Sequence, residues 1–515
     1  MGLPKWQKSL RAGSLSVCLF MIWPNLAIAG NLLSSLDLAW SQDPVLQSAV
    51  QAHQINLTRI PQARAGLLPS INLTAQSSSS NGSYSFSGSE PNSRPIHNNS
   101  QALQLTQALY RPQLRHALAQ AHLQAVQTLA QLQQAEQDLM LRLLQAYAEL
   151  QTAKDNQKVV AAQLKHQAQQ LLVAQRGLHF GTHAQPEVDE ARSKYAMLQS
   201  QSVEAATQWR IKRQELVKIT GESWQGGADQ WAGLSDSFSV QTWADTANQK
   251  TLAQWMEQAR TDAPAVRAQM AAVEVALCDI QKNRAGHLPT FDFTASRTHN
   301  NSSGNASSAQ DFESASRVTQ YGVQLTIPIY AGGSITAKSR EAVATWDKAQ
   351  FDLDAAQQQA EGGVQQAFDN AESAKAQILA LQSAMEAAQA AIQGNLTGLR
   401  IGKRTLLQVY DSEQQLAAAQ RDWRKARYDL VIQIAKIKAS AGLLGREDFI
   451  ALNEGFNATA APSAALQDPS AMLFKSASQE QHRVAQAIQS VDIVPHSQPT
   501  APDHIVSQGA QNTAP

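Results

Sequence analysis

Few residues in this chain are placed to do chemistry, and most of those sit in two short stretches. In "HFGTH", His179 and His183 have the i, i+4 spacing of two metal ligands on a helix. Gly181 between them marks a turn, which removes the fixed helical face that paired ligands need. In "GLRIGKRTLLQVYDSE", residues 398–413, Gly402 is followed by Lys403 and Arg404, and the lone carboxylate of Asp411 stands two turns on. Such groups can hold ions or make salt links, but they supply no nucleophile–base pair. The chain has no Walker loop, no dinucleotide glycine fingerprint, no HExxH and no GxSxG elbow. No catalytic constellation and no cofactor is implied.

The elements that carry these stretches follow from the bulk pattern. Lys+Arg and Asp+Glu both number 42 in 515 residues, so no excess charge points to nucleic acid. Lys5, Lys8 and Arg11 precede the apolar run "SLSVCLFMIW", and Ala27 and Ala29 stand before Gly30. A basic start, a short apolar core and an A-x-A site predict a signal peptide over residues 1–29. The run is short for a spanning anchor, which takes about 20 residues. Cys18 would leave with the signal, so Cys278 is the one cysteine of the mature chain and no internal disulfide forms. No later stretch is a transmembrane helix, so any membrane crossing would be made by strands.

The chain is written twice. "RAGLLPSINLTA" at 64–75 matches "RAGHLPTFDFTA" at 284–295, and "LTQALY" at 105–110 matches "LTIPIY" at 325–330, both offset by 220 residues. "FGTH" at 180–183 meets "IGKR" at 401–404 at an offset of 221. Each unit reads helix, strand, strand, long helix, turn, helix. Ile71, Leu73 and Ala75 alternate with polar residues, as do Phe291, Phe293 and Ala295. The returning strands carry Leu103, Leu105 and Leu109, then Tyr321, Val323, Leu325, Ile327 and Ile329. The Ser/Asn/Gly-rich stretches 77–100 and 296–316 read as polar loops between them. Alternation alone fits a membrane barrel or an ordinary sheet with one wet face.

From Pro112 to Phe180, Leu118, Ala121, Ala125, Leu129, Leu132, Ala135, Leu139, Leu143, Ala146 and Leu150 step by three and four. This is a coiled-coil seam rich in small residues. A helix of that length reaches roughly 100 Å, and the copy from Ser334 to Ile401 has the same reach, with Gly362-Gly363 as a soft point. Such helices must lie against other long helices. The expected division is a signal peptide 1–29, a first repeat 30–221 and a connection 222–250 with Trp224, Trp231 and Trp243. A second repeat 251–445 follows, then a remainder with a disordered tail within 446–515.

Two stretches carry a family resemblance. "RGLHFGTHAQPEVDEARSKY" at 176–195 and "GLRIGKRTLLQVYDSEQQLAAAQRDWRKARYDL" at 398–430 resemble the paired periplasmic turns of the TolC family of outer-membrane efflux proteins. "LTIPIYAGG" at 325–333 resembles that family's strand-to-helix junction. The resemblance implies a mainly α protein with a membrane β-barrel: a homotrimer, four strands per protomer, a twelve-stranded barrel in outer-membrane lipid, and a coiled-coil tunnel across the periplasm. Its partners would be a periplasmic adaptor and an inner-membrane transporter of the ABC, RND or MFS class. It would export protein or drugs and would not be an enzyme.

The resemblance also implies roles for residues at the tip. Asp411 would line a periplasmic gate as a three-fold carboxylate ring, which attracts cations. Gln408 stands where many relatives have a second acidic ring. Arg404 would latch the gate to Glu187, with Lys403 competing for the same partner. Gly181, Thr182, His183 and Ala184, with Gly402, Lys403, Arg404 and Thr405, would present the turns that adaptors grip. The other reading is a non-conducting coiled-coil scaffold of the envelope.

Overall fold

The computed structural model describes residues 32–456 other than 85–91, 222–232, 236–237, 248–249, 305–312 and 405. The expected signal peptide, Trp224, Trp231, Thr405 and the expected disordered tail beyond Phe456 lie outside the described residues. Helix α1 (Leu32–Gln42) leads into the first repeat: α2 (Pro44–Ala65), β1 (Ser70–Tyr84), β2 (Asn92–Tyr110), α3 (Pro112–His179) and α4 (Gln185–Thr220). The short helices α5 (Val240–Ala247) and α6 (Leu252–Asp262) join it to the second. That repeat comprises α7 (Pro264–Arg284), β3 (Thr290–Ser303), β4 (Glu313–Thr326), α8 (Ser334–Arg400) and α9 (Leu406–Ser440), and α10 (Arg446–Phe456) follows. Pro44, Pro112 and Pro264 each begin a helix, where a missing N–H leaves no bond unmade.

Helices α3 and α8 hold 68 and 67 residues, so each reaches about 100 Å. Helix α8 runs unbroken through Gly362-Gly363; pairing along its length with α7 and α9 offsets the poor helix propensity of two glycines. The seam of α3 is buried at Ala121, Ala125, Leu132, Leu139, Leu143, Ala146 and Leu150, and partly buried at Leu118, Leu129 and Ala135. Around residues 139–150 it widens to take in Met140, Leu144, Tyr147 and Ala148. Here α1, α4, α9 and α10 gather round α3, so the apolar face is broader than a two-helix seam.

The equatorial core therefore sits halfway along the helices. The Tyr147 ring meets Phe456 edge-on at 5.2 Å, and Phe456 stacks on Tyr428 at 6.3 Å. Burial pushes the Tyr428 hydroxyl up to about 12 and raises that of Tyr147 further, so both act as neutral packing groups. The connection is less polar in space than in sequence. Leu234, Val240 and Ala244 are buried in this core, and Trp243 packs against it. Arg427 is buried beside them. It donates to the carbonyls of Ser235 (2.7 Å) and Phe238 (2.6 Å) and lies over the Trp423 ring at 4.4 Å.

The four strands form one antiparallel sheet in the order β1-β2-β3-β4. Residues 77–100 and 296–316 were expected as loops, yet the ladder continues from Ser77↔Asn99 to Tyr84↔Asn92 and from Arg297↔Thr319 to Ser303↔Glu313. Serine and asparagine there hide no apolar face, and backbone pairing alone extends the strands. The register sorts most side chains near the helical end of the sheet, with Gln107 the polar exception beside Phe293. One face carries Ile71, Leu73, Leu103, Leu105, Phe291, Phe293, Tyr321, Val323 and Leu325; the other carries Asn72, Thr74, Gln104, Thr106, Thr294, Gln320 and Gln324. A bulge between Ala108 and Tyr110 takes Leu109 out of the alternation. Where β2 passes into α3, Arg111 grips Asp292 of β3 with two hydrogen bonds of 2.8 and 2.6 Å, tying the two repeats together.

Candidate functional site

The two helical hairpins end in turns of one design. Gly181 and Gly402 adopt φ of 73° and 72°, a left-handed conformation that glycine enters at no steric cost. In the first turn the N–H groups of Thr182 and His183 donate to the Gly177 carbonyl at 2.8 and 3.2 Å. In the second, Lys403 and Arg404 donate to the Gly398 carbonyl at the same 2.8 and 3.2 Å. Thr182 adds its hydroxyl to the Gly177 carbonyl at 3.0 Å.

Gly177 and Gly398 are themselves required by close approach. A Cβ on Gly177 would lie 1.8 Å from Cδ2 of His183, and one on Gly398 would lie 2.5 Å from Cγ of Arg404. His183 and Arg404 therefore fold back across the ends of their own hairpins. The sequence held a signal for this, since both glycines stand four residues before the turn glycine in each copy.

The side chains differ. His183 Nδ1 lies 2.5 Å from Glu187 Oε2 on the first turn of α4, and Gln185 donates to Asp189 at 3.2 Å. Lys194 holds Glu190 at 2.7 Å and lowers its pKa. Ala184 caps α4 without a side-chain bond. On the second turn Lys403 and Arg404 are exposed, and among the described residues no ion pair joins Arg404 to Glu187. Within the protomer the partner of Glu187 is His183, one helical turn away and hence on the same face. His179 lies edge-on to Phe180 at 5.4 Å rather than beside His183, and no metal-binding cluster occurs among the described residues.

Helix α9 presents three faces. Ser412 is buried against α8, accepting from Asn395 Nδ2 at 2.6 Å and donating to the Gln408 carbonyl at 2.9 Å. Tyr410 and Glu413 face α3, at 5.5 Å from the His166 ring and 3.7 Å from its Nε2. With about 100° of rotation per residue, Asp411 points away from both neighbours, and it is exposed. Sequence reasoning missed Asn395, Ser412, His166, Tyr410 and Glu413, because each acts through a partner on another helix or turn.

Long paired helices thus continue from a two-faced sheet, an architecture that points to a class of elongated envelope proteins. The profile of the "Outer membrane efflux protein" family matches residues 35–222 and 255–443, so this chain belongs to that family. The chain is 25% identical over 425 residues to the alkaline protease secretion protein AprF of Pseudomonas aeruginosa, covering 82% of this chain and 86% of that one. It is 27% identical over 439 residues to the proteases secretion protein PrtF of Dickeya chrysanthemi, covering 84% and 92%. Its fold matches the Campylobacter jejuni CmeC outer membrane channel with a TM-score of 0.67 at 14% identity, covering 84% and 90%. The protein is an outer-membrane channel of the TolC type, the outer component of envelope export.

Proposed function

We propose that three copies close a twelve-stranded barrel and a helical tunnel, and that this duct releases cargo delivered by an inner-membrane transporter through a periplasmic adaptor. The observation that carries the reading is the sheet: its two faces are sorted into apolar and polar, and β1 and β4 are left as free edges. Open edges demand partners, and equivalent copies supply them without exposing backbone to lipid. The relatives named for protease secretion favour a protein cargo; efflux of small molecules uses the same duct.

Three copies of Asp411 would ring the tunnel entrance, with Gln408 leaving a second ring uncharged. Arg404 would act as a latch by reaching Glu187 across the tip, where exposed links contribute only about 0–1 kcal/mol each. Lys403 would compete for that partner, and the turns 181–184 and 402–405 would dock the adaptor. Reconstitution in planar bilayers tests the duct. Conductance is expected, larger in an Arg404→Ala/Glu187→Ala double variant; no conductance in either would leave the scaffold reading. Asp411→Ala is expected to weaken block by polyvalent cations, and an unchanged block would remove Asp411 from the entrance.

A further inference from the structure

The strand register places a group of cations on one side of the sheet. His299 of β3 lies directly opposite Arg317 of β4, and Arg297, opposite Thr319, is the next residue on the same face. Directly paired side chains stand about 5 Å apart and diagonal ones about 7–8 Å, so one small ligand can touch all three. This is the apolar face, continuing upward from Phe291, Phe293, Val323 and Tyr321. Arg297 and Arg317 are exposed, and neither forms an ion pair with a described residue.

Carboxylates do not offset the group. Among the described strand residues only Asp292 and Glu313 are acidic. Asp292 is held by Arg111 at the helical end, and Glu313 closes the far end of β4. The first repeat has serine at 77 and 79 in place of Arg297 and His299, and histidine at 97 in place of Arg317. The cationic group is therefore a property of the β3–β4 hairpin and not of strand hairpins in general.

Height fixes the kind of partner. Arg317 lies eight residues beyond Leu325 along β4. At about 3.4 Å per residue and a barrel tilt near 40°, that is roughly 20 Å, close to the apolar band of about 25 Å in outer-membrane barrels. The helices leave the opposite end of the sheet, so the group sits at the outer-leaflet boundary. We propose that Arg297, His299 and Arg317 form a seat for the phosphorylated headgroup of an outer-leaflet glycolipid, its acyl chains lying along Tyr321, Val323 and Phe293. The proposal rests on the barrel reading above. Two arginines present planar forks that match phosphate oxygens, and the apolar residues below them suit acyl chains, which a free phosphate would leave unused.

The test uses the full-length protein in phosphatidylcholine vesicles containing either bisphosphorylated lipid A or its dephosphorylated form. Wild type should retain the phosphorylated lipid through detergent extraction roughly twenty-five-fold better than Arg297→Gln/Arg317→Gln, since each of the two cations near an anionic lipid surface contributes a factor of about five. Both proteins should retain the dephosphorylated form equally poorly, and Arg297→Lys/Arg317→Lys, which keeps the charge but loses the planar forks, should fall between wild type and the Gln variant. Equal retention by wild type and the Gln variant overturns the seat, as does equal retention of the two lipids by wild type. Displacement of the lipid by millimolar inorganic phosphate would show an anion site indifferent to lipid and would also overturn it. Failure of wild type to insert into vesicles at all would instead overturn the barrel reading, and the seat with it.

Discussion

The equatorial core and the helical tip are built from the same long helices, yet they are held in opposite ways. At the equator α3 is enclosed by α1, α4, α9 and α10, and Leu139, Leu143, Leu144 and Leu150 are at most 1% exposed. At the tip buried side chains are few, Val188, Val409 and Ser412 among them, and the charged contacts are surface pairs such as His183–Glu187 and Lys194–Glu190 beside two glycine turns. Burial costs much to undo and exposed links cost little. One helix can therefore be anchored at its middle and compliant at its end.

Leu143→Ala should give the largest effect. It removes a fully buried side chain and should cost about 2–5 kcal/mol, read as a lower thermal midpoint in a conducting preparation. A loss below about 1 kcal/mol would mean that the equator is as soft as the tip. Gly402→Ala should cost about 1–2 kcal/mol, because φ of 72° is strained for any side chain. Its repeat partner Gly181→Ala should cost the same, and unequal costs would break the equivalence of the two turns.

The pH response of the body is a smaller effect. Burial alone would raise the Asp279 carboxyl. Hydrogen bonds from Lys282, Gln120 and Asn283, with the Lys282 charge, overcome this and leave its pKa lowered. A carboxyl depressed in the folded state stabilises above its unfolded value and loses that contribution as pH falls through the folded one. Stability should thus decline below about pH 4, and the decline should be shallower in Asp279→Asn on acid titration monitored by circular dichroism. Least affected should be Glu187→Gln. It removes the charge from the His183 contact at the tip and should move the thermal midpoint by less than the equivalent of about 1 kcal/mol.

The long helices were legible because their apolar residues keep a single period over many turns, and the repeat made each hairpin confirm the other. The upper strands were not. "SSSSNGSY" has no apolar face to alternate, so its pairing with residues 92–99 leaves no trace in composition. At the tip, glycine spacing marked both turns, but the side-chain partners were hidden. His166 and Glu413 lie 247 positions apart, and no local pattern brings such residues together. The pairing of Glu187 with His183 was within local reach, since the two stand at i, i+4 on one helical face.

The bond between Arg111 and Asp292 has no counterpart in the other half of the chain. The repeat positions are Ala331 and Asn72, so the pair occurs once per protomer. Two copies of either half alone could not make it. The two halves have diverged into non-interchangeable parts, and a ring assembled from half-length chains would lack the clasp that joins unlike hairpins. The repeat survives in the backbone of this protein, while its side chains tell the two halves apart.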